Sequence, residues 1–336
     1  NLIQVRLGLK PKSVKLELYN KLKKEGQKVY FHTIFDPAFS SEPDNYLFGF
    51  PKKSKIIYQD EGEGLIVFDT NSLGFRKSSG EETQNGQYQA FTFGDSYVDG
   101  CCVENENTIS SRLYKLTGKK ILNLGAGGTG PFYSLSLLQE LIGSSSFKKE
   151  IKTNSTFILS VFSGNDLQNI REDKTGHLYK YLNYDDEFLY FDKYEENNKK
   201  LEFYNKKAIK LAKKKDLIRE QLPLGRQYGI SLSKYDLSDD LQILDNILRK
   251  FQSVVEKNNH KFLLLVLENH PGYPKFRQDE MGKTVRDFCS ETNANCIFVD
   301  LNSLPSDHFG KVGQFRGHLN SRGYDKVAKL LSKYID

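Results

Sequence analysis

From Tyr88 to its end the chain alternates short apolar runs with segments of helical periodicity, and this alternation restricts the fold more than any other feature. A strand that leads through a helix into a further strand of the same sheet returns parallel to itself. Repetition of that unit therefore predicts a mostly parallel sheet with helices on both faces. The apolar runs predict strands near 88–94, 120–124, 156–162, 261–268 and 296–300, and the periodic segments predict helices near 106–117, 131–143, 239–258, 277–291 and 321–334. Leu241, Ile243, Leu244, Ile247, Leu248 and Phe251 give the third helix a clear apolar stripe, with Ser238 and Asp239 placed to cap it. The expected fold is a three-layer α/β/α sandwich around a five-stranded, mostly parallel sheet. At 336 residues the chain is long enough for that domain and for additions to it.

Two additions are expected around a main domain at 88–336. Residues 1–87 carry mixed charges, four prolines and the runs Lys55-Ile56-Ile57-Tyr58 and Leu65-Ile66-Val67-Phe68, which suit an N-terminal extension with some β structure. Within it, Asn71-Ser72-Leu73-Gly74-Phe75-Arg76 reads as a turn with Gly74 at positive φ and Arg76 in a surface ion pair. The stretch 170–238 interrupts the α/β rhythm between the third and fourth strands. It holds aromatic runs such as Tyr179-Lys180-Tyr181 and Phe188-Leu189-Tyr190-Phe191. A connection this long is a lid, a binding loop or an inserted subdomain. Its aromatics suit either an ordinary β-hairpin or stacking against sugar rings.

Charge and hydropathy narrow the partners. Lys and Arg exceed Asp and Glu by 49 to 43, a net charge of +6 that does not call for nucleic acid at this length. Lys206, Lys207, Lys210, Lys213, Lys214 and Lys215 alternate with apolar residues as the solvated face of a helix would. Mean hydropathy is −0.57, and no run approaches the ~20 apolar residues of a membrane span. The chain opens on Asn1 and its single methionine is Met281. These two facts lead us to expect a processed chain whose upstream segment leaves membrane anchoring open and favours an extracytoplasmic or membrane-associated place. The cysteines, Cys101-Cys102 and Cys289 with Cys296, match no zinc ribbon or finger spacing. Cys101 and Cys102 read as small core residues. The second pair has a spacing that permits a disulfide without requiring one.

In open parallel sheets function gathers at the carboxyl ends of the strands, and four blocks fall there or in the loop before the last helix. They are Phe91-Thr92-Phe93-Gly94-Asp95-Ser96, Asn123-Leu124-Gly125-Ala126-Gly127-Gly128, Ser163-Gly164-Asn165-Asp166 and Gly317-His318-Leu319-Asn320. A serine hydroxyl is a poor nucleophile until a nearby base takes its proton, and the tetrahedral intermediate needs amide donors for its negative oxygen. The blocks supply a hydroxyl, donors and an imidazole. Taken singly, Ser96 is equally an N-cap and Asn165 a strand-end turn. The glycine loop lacks a phosphate-binding lysine and fits no dinucleotide fingerprint. His32, His260 and His270 read as surface or loop residues, and no set of residues with metal-ligand spacing stands out.

In their order and spacing these blocks resemble the SGNH hydrolases, also called the GDSL esterase and lipase superfamily. The resemblance implies a flavodoxin-like fold, Ser96 as nucleophile, His318 as base, and an oxyanion hole made of the Ser96 and Gly128 amides and the Asn165 side chain. It implies no cofactor. It also implies a small ester substrate; the long aromatic insertion and the N-terminal extension favour an O-acylated carbohydrate, with transfer of the acyl group to a carbohydrate hydroxyl as an alternative. One departure is plain: the family places an aspartate two or three residues before the histidine, and this chain has Arg316 and Phe315 there. Either His318 is oriented by a backbone carbonyl, or an acid such as Asp307 comes from elsewhere, or the chain is an impaired enzyme that binds without turning over.

Overall fold

Among the described residues ten strands fall into three sheets, and the first three in sequence belong to the N-terminal extension. β1 (Val29–Phe31), β2 (Lys55–Ile57) and β3 (Val67–Asp69) are ordered β1-β2-β3, with β1 parallel and β3 antiparallel to β2. The structure is a computed structural model and describes residues 14–32, 48–58, 64–81, 86–173, 177–183, 191, 199–203, 205, 206, 209, 210, 236–312 and 315–335. Most of the aromatic stretch between 184 and 198, Phe191 excepted, and most of the lysine cluster after 206 lie outside the described residues.

The main sheet contains β4 (Tyr88–Gly94), β5 (Ile121–Gly125), β6 (Ile151–Phe162), β7 (Lys261–Glu268) and β8 (Asn295–Asp300), all parallel, in the order β5-β4-β6-β7-β8. Both faces are covered, which is why these strands read as continuous apolar runs. Successive side chains still go to opposite layers. Phe157, Leu159 and Val161 of β6 join Phe262, Leu264 and Val266 of β7 on one face, against Leu244, Leu248 and Phe251 of helix Ser238–Lys257 and Val285 and Phe288 of helix Lys275–Thr292. Ile158, Leu263 and Leu265 face the other way, onto Ile109 and Leu113 of helix Ile109–Thr117 and Tyr324, Val327 and Leu331 of helix Ser321–Leu331. The result is the expected α/β/α sandwich. Truncating a fully buried side chain such as Phe251 to Ala would cost about 3–5 kcal/mol.

Three observations differ from the sequence expectations. His318 lies on a strand, because β9 (Phe309–Val312) and β10 (Phe315–Leu319) pair antiparallel as a small hairpin with a register shift between Arg316 and Leu319. These strands are short and glycine-containing, with no period-two alternation to betray them. Arg76 makes no surface ion pair but is buried at 1% exposure. Its guanidinium donates to the carbonyls of Asp99, Gly100 and Val103 and to Asn105 Oδ1, and lies 4.4 Å from the Phe68 ring centre. The turn before it does form, with Gly74 at φ +92° and Asn71 Oδ1 accepting from Leu73 N and Phe75 N. Finally, His32 and His270 are buried, at 8% and 3% exposure, and only His260 is half exposed.

The extension has its own apolar cluster, in which Val29, Phe31, Ile56, Tyr58 and Phe68 pack against Cys101 and Cys102. It therefore sits directly behind the Ser96 segment. Cys289 and Cys296 are bonded, joining the end of helix Lys275–Thr292 to β8. Among the described residues no helix is long and apolar enough to cross a membrane.

Candidate active site

Neighbouring β4 carries the chain to β5 on one side and β6 on the other, so the carboxyl end of β4 lies at the point where the strand order reverses. A crevice forms at such a point. Ser96 opens the short helix Ser96–Asp99 directly after β4, and Asp95 caps it by accepting a hydrogen bond from Tyr97 N at 2.9 Å. Gly94 sits at φ +154°, and a Cβ there would meet Val98 at 2.7 Å and Ser160 at 3.0 Å. A side chain at that position would push the serine turn off the sheet.

The Ser96 hydroxyl lies 2.7 Å from His318 Nε2, across 222 residues of sequence. That is the distance of a normal hydrogen bond, and with Nε2 unprotonated the hydroxyl donates to the ring nitrogen. Both residues are partly exposed, so the pair is open to a substrate. The Tyr97 ring packs 5.0 Å from the imidazole. His318 is held from two sides. Asn320 Nδ2 donates to the carbonyls of Asp307 and Phe309, while Asn320 Oδ1 caps helix Ser321–Leu331 by accepting from Arg322 N and Gly323 N. On the other side His270 Nδ1 accepts from Gly272 N at 3.1 Å, which leaves Nε2 as the protonated nitrogen that donates to Gly317 O at 3.3 Å.

His270 is itself fixed by Gln278, whose Nε2 donates to the His270 carbonyl and whose Oε1 accepts from His270 N and from Ser163 Oγ. A polar chain thus runs from Ser163, in the Asn165 block, to the residue before His318. Sequence reading missed it because single His and Gln residues in separate loops carry no spacing signal. Of the other sequence candidates, Asp307 has its carboxylate 2.6 Å from Arg322 Nη1 on the exposed side. Arg316, in the place of the family aspartate, lies over the Phe309 ring at 5.2 Å.

Two further loops follow the strands on either side of β4. After β5, Asn123 Nδ2 donates to Val98 O and Asn123 Oδ1 accepts from Gly125 N, clamping this strand end to the Ser96 helix. Ala126 N donates to Gly94 O and Thr129 Oγ1 to Ala126 O, which closes the loop. Gly128 is at φ +81°, with open space around it. The loop's floor comes from the N-terminal extension: at Gly127 a Cβ would lie 2.1 Å from Tyr58 Oη, 2.8 Å from His32 Cε1 and 3.2 Å from Asp99 Oδ2. His32 Nε2 is bonded to Asp99 Oδ2 at 2.8 Å and its ring centre lies 3.7 Å from that of Tyr58, tilted by 31°. After β6, Asn165 precedes helix Asp166–Asp173, and its Oδ1 is buried without a hydrogen-bond partner.

Two buried carboxyls lie beneath the serine turn. Burial pushes Asp95 up to about 6, partly offset by the bond from Tyr97 N and by the charge of His318. Asp166 is also raised well above the usual carboxylate range, by burial and by the charge of Asp95, although its Oδ2 accepts from Phe162 N. Asp95 Oδ2 and Asp166 Oδ1 have no partner, so a proton on one relieves the repulsion between both. The arrangement brings a serine hydroxyl into contact with an imidazole at the carboxyl end of a parallel sheet, which is chemically competent for proton transfer from the hydroxyl.

No family model and no curated protein matches the chain. Among solved structures it is similar to a candidate lipolytic protein of the G-D-S-L family from Desulfitobacterium hafniense DCB-2, with 12% identity, 74% of this chain and 99% of that chain covered, and a TM-score of 0.42. It is also similar to a candidate SGNH hydrolase from Slackia heliotrinireducens, with 8% identity, coverage of 74% and 100%, and a TM-score of 0.40. A catalytic mutant of an acetylxylan esterase from Geobacillus stearothermophilus gives 14% identity, coverage of 75% and 95%, and a TM-score of 0.37.

Proposed function

We propose that the chain is a serine ester hydrolase of the SGNH type that works through an acyl-enzyme on Ser96. The observation that carries this reading is the 2.7 Å contact between Ser96 Oγ and His318 Nε2 at the carboxyl end of a parallel sheet. In the first half-reaction His318 takes the hydroxyl proton as Ser96 Oγ bonds to the ester carbonyl carbon. The carbonyl oxygen becomes negative and is held by the main-chain amides of Ser96 and Gly128 and the side chain of Asn165. Collapse of the intermediate expels the alcohol, which receives the proton from His318, and leaves the acyl group on Ser96. Water then repeats the sequence and releases the acid.

The chain carries Arg316 and Phe315 at the family aspartate's position, and in this reading the backbone on either side of His318 helps to orient it. Asn320 and His270 supply that orientation. We assign the substrate to small O-acyl esters, O-acylated carbohydrates among them. A carbohydrate hydroxyl in place of water would make the same acyl-enzyme a transferase. The test is hydrolysis of a short-chain aryl ester by the purified protein and by Ser96→Ala. Loss of turnover by at least 10⁴-fold is expected for removal of the nucleophile. Survival of hydrolysis in the variant refutes the assignment. Weighing the products formed in the presence of glycan acceptors separates hydrolase from transferase.

A further inference from the structure

Directly behind the proposed catalytic pair the structure places two sulfur atoms. Cys101 Sγ, Cys102 Sγ and a ring nitrogen of His318 all lie within 4.8 Å of one another. Both cysteines are buried, at 0% and 5% exposure, while His318 is partly open to the crevice. Cys102 takes φ +69°, a conformation that a non-glycine residue seldom adopts, and it follows Gly100 at φ +84°. This turn brings the two neighbouring side chains to the same side. The segment is anchored, since Cys101 N donates to Ser96 O at 2.9 Å and Arg76 Nη1 donates to Gly100 O at 2.8 Å. The sulfurs cannot drift far from the base without moving the serine turn.

Resting on the reading of His318 as the base, we infer that Cys101, Cys102 and His318 form an inhibitory site for a thiophilic divalent cation such as Zn²⁺, open only when the two sulfurs are thiols. Thiolate sulfur and imidazole nitrogen are the donors such an ion prefers, with Zn–S near 2.3 Å and Zn–N near 2.0–2.1 Å. Ligands at those lengths in a tetrahedral site stand about 3.3–3.8 Å apart, so once their bond is reduced the two sulfurs must separate to that spacing while the imidazole nitrogen, within 4.8 Å of them, closes in. Three protein ligands leave a fourth position for water. In the structure the two sulfurs are bonded to each other. A dithiol reductant opens that bond by delivering two electrons and two protons, itself becoming a disulfide. Binding of the cation then releases the two thiol protons and forms two metal–thiolate bonds.

Occupancy stops catalysis whichever ring nitrogen is used. If the cation takes Nε2, the bond from Ser96 is lost. If it takes Nδ1, the neutral ring carries its only hydrogen on Nε2 and can donate but not accept. Oxidation of the pair removes both thiolates and frees the base. The site thus couples the activity of Ser96 to thiol redox state and metal supply.

The test uses Cd²⁺ as a spectroscopic stand-in for Zn²⁺, with the full chain reduced by a phosphine and handled without oxygen. A thiolate-to-metal absorption band that saturates at one equivalent is expected. Ester hydrolysis should fall by at least tenfold over the same titration, and a chelator should restore it. Cys102→Ala should lose the band and the inhibition while keeping hydrolysis near the wild-type level. His318→Gln should keep the band at lower affinity. If Cys102→Ala does not fold, peptide mapping of the wild-type protein decides, with Cd²⁺ expected to protect Cys101 and Cys102 from alkylation. Absence of the band in reduced protein, alkylation unchanged by Cd²⁺, or equal inhibition of a folded Cys102→Ala variant overturns the inference. The band and the alkylation are read without any substrate, so they stand even if Ser96→Ala leaves hydrolysis intact and the functional reading falls.

Discussion

Gly127→Ala probes how the N-terminal extension supports the glycine loop. The added methyl would lie 2.1 Å from Tyr58 Oη, where contact between such atoms is normally about 3.5 Å. One side must therefore move by more than about 1 Å. Tyr58 has nowhere to go: it is buried, with its ring centre 3.7 Å from that of His32 and edge-on to Phe68 at 6.0 Å. The opposite side of the loop is open, since a Cβ at Gly128 would meet nothing within 4 Å. The loop yields outward and takes the Gly128 amide with it. A displacement of ~1 Å costs on the order of 100-fold in turnover, which agrees with the ~10²–10³ lost with one oxyanion donor. Overpacking adds about 1–3 kcal/mol of destabilisation. The assay is kcat and KM on a short-chain aryl ester, with thermal unfolding of the same samples. A kcat lower by about 100-fold with KM changed by less than about threefold is expected, because the lost interaction belongs to the transition state. Adding Tyr58→Phe removes the nearest atom and should recover about tenfold of that loss. A folded Gly127→Ala protein with kcat within about twofold of wild type would falsify the assignment of this loop to the oxyanion.

Other consequences are equally measurable. Asn165→Ala should lower kcat by about 10²–10³, or ~2.7–4 kcal/mol of transition-state stabilisation, with little change in Tm. His270→Ala should lower kcat by about tenfold or more at similar KM by freeing Gly317, while His270→Gln, which retains a donor, should recover most of it; equal losses in both would assign His270 to packing alone. Asp95 binds its proton more tightly in the folded protein, up to about 6 against an ordinary 3.8. The stability this group contributes is therefore full below about pH 4 and is lost as pH rises through about 6. Asp95→Asn should flatten the fall of Tm between pH 4 and 7, and an unchanged slope would show that this carboxyl is not what titrates. Arg76→Ala leaves several buried carbonyls without donors and should destabilise the fold by at least about 3 kcal/mol, measured by denaturant unfolding.

The main sheet was legible because a strand buried on both faces must be apolar throughout. Lys261–Glu268 and Pro131–Gly143 were readable to the residue for that reason, and because a proline starts the helix. The ends were less so: β6 begins at Ile151, five residues before its apolar run, where its side chains are mostly exposed. Ser96 and His318 were findable because local motifs surround them, although 222 residues separate them in the chain. The β9–β10 hairpin was not, since its strands span only four and five residues. Nor were the buried roles of His32, Tyr58, Arg76 and His270 readable. Each depends on one partner far away in sequence, and a lone polar residue gives no pattern from which its burial follows. Cys101 and Cys102 were legible as buried residues, but their approach to His318 is set by the turn at Gly100 and by the placement of β10.

The central claim is that His318 activates the Ser96 hydroxyl. Intact-protein and peptide mass spectrometry after exposure to a fluorophosphonate measures this with no assumption about the natural ester. One adduct per chain is expected, on the peptide carrying Ser96, and it should vanish in a folded His318→Ala protein. An unlabelled Ser96 in the folded wild-type chain, or labelling that persists unchanged without His318, would contradict the account.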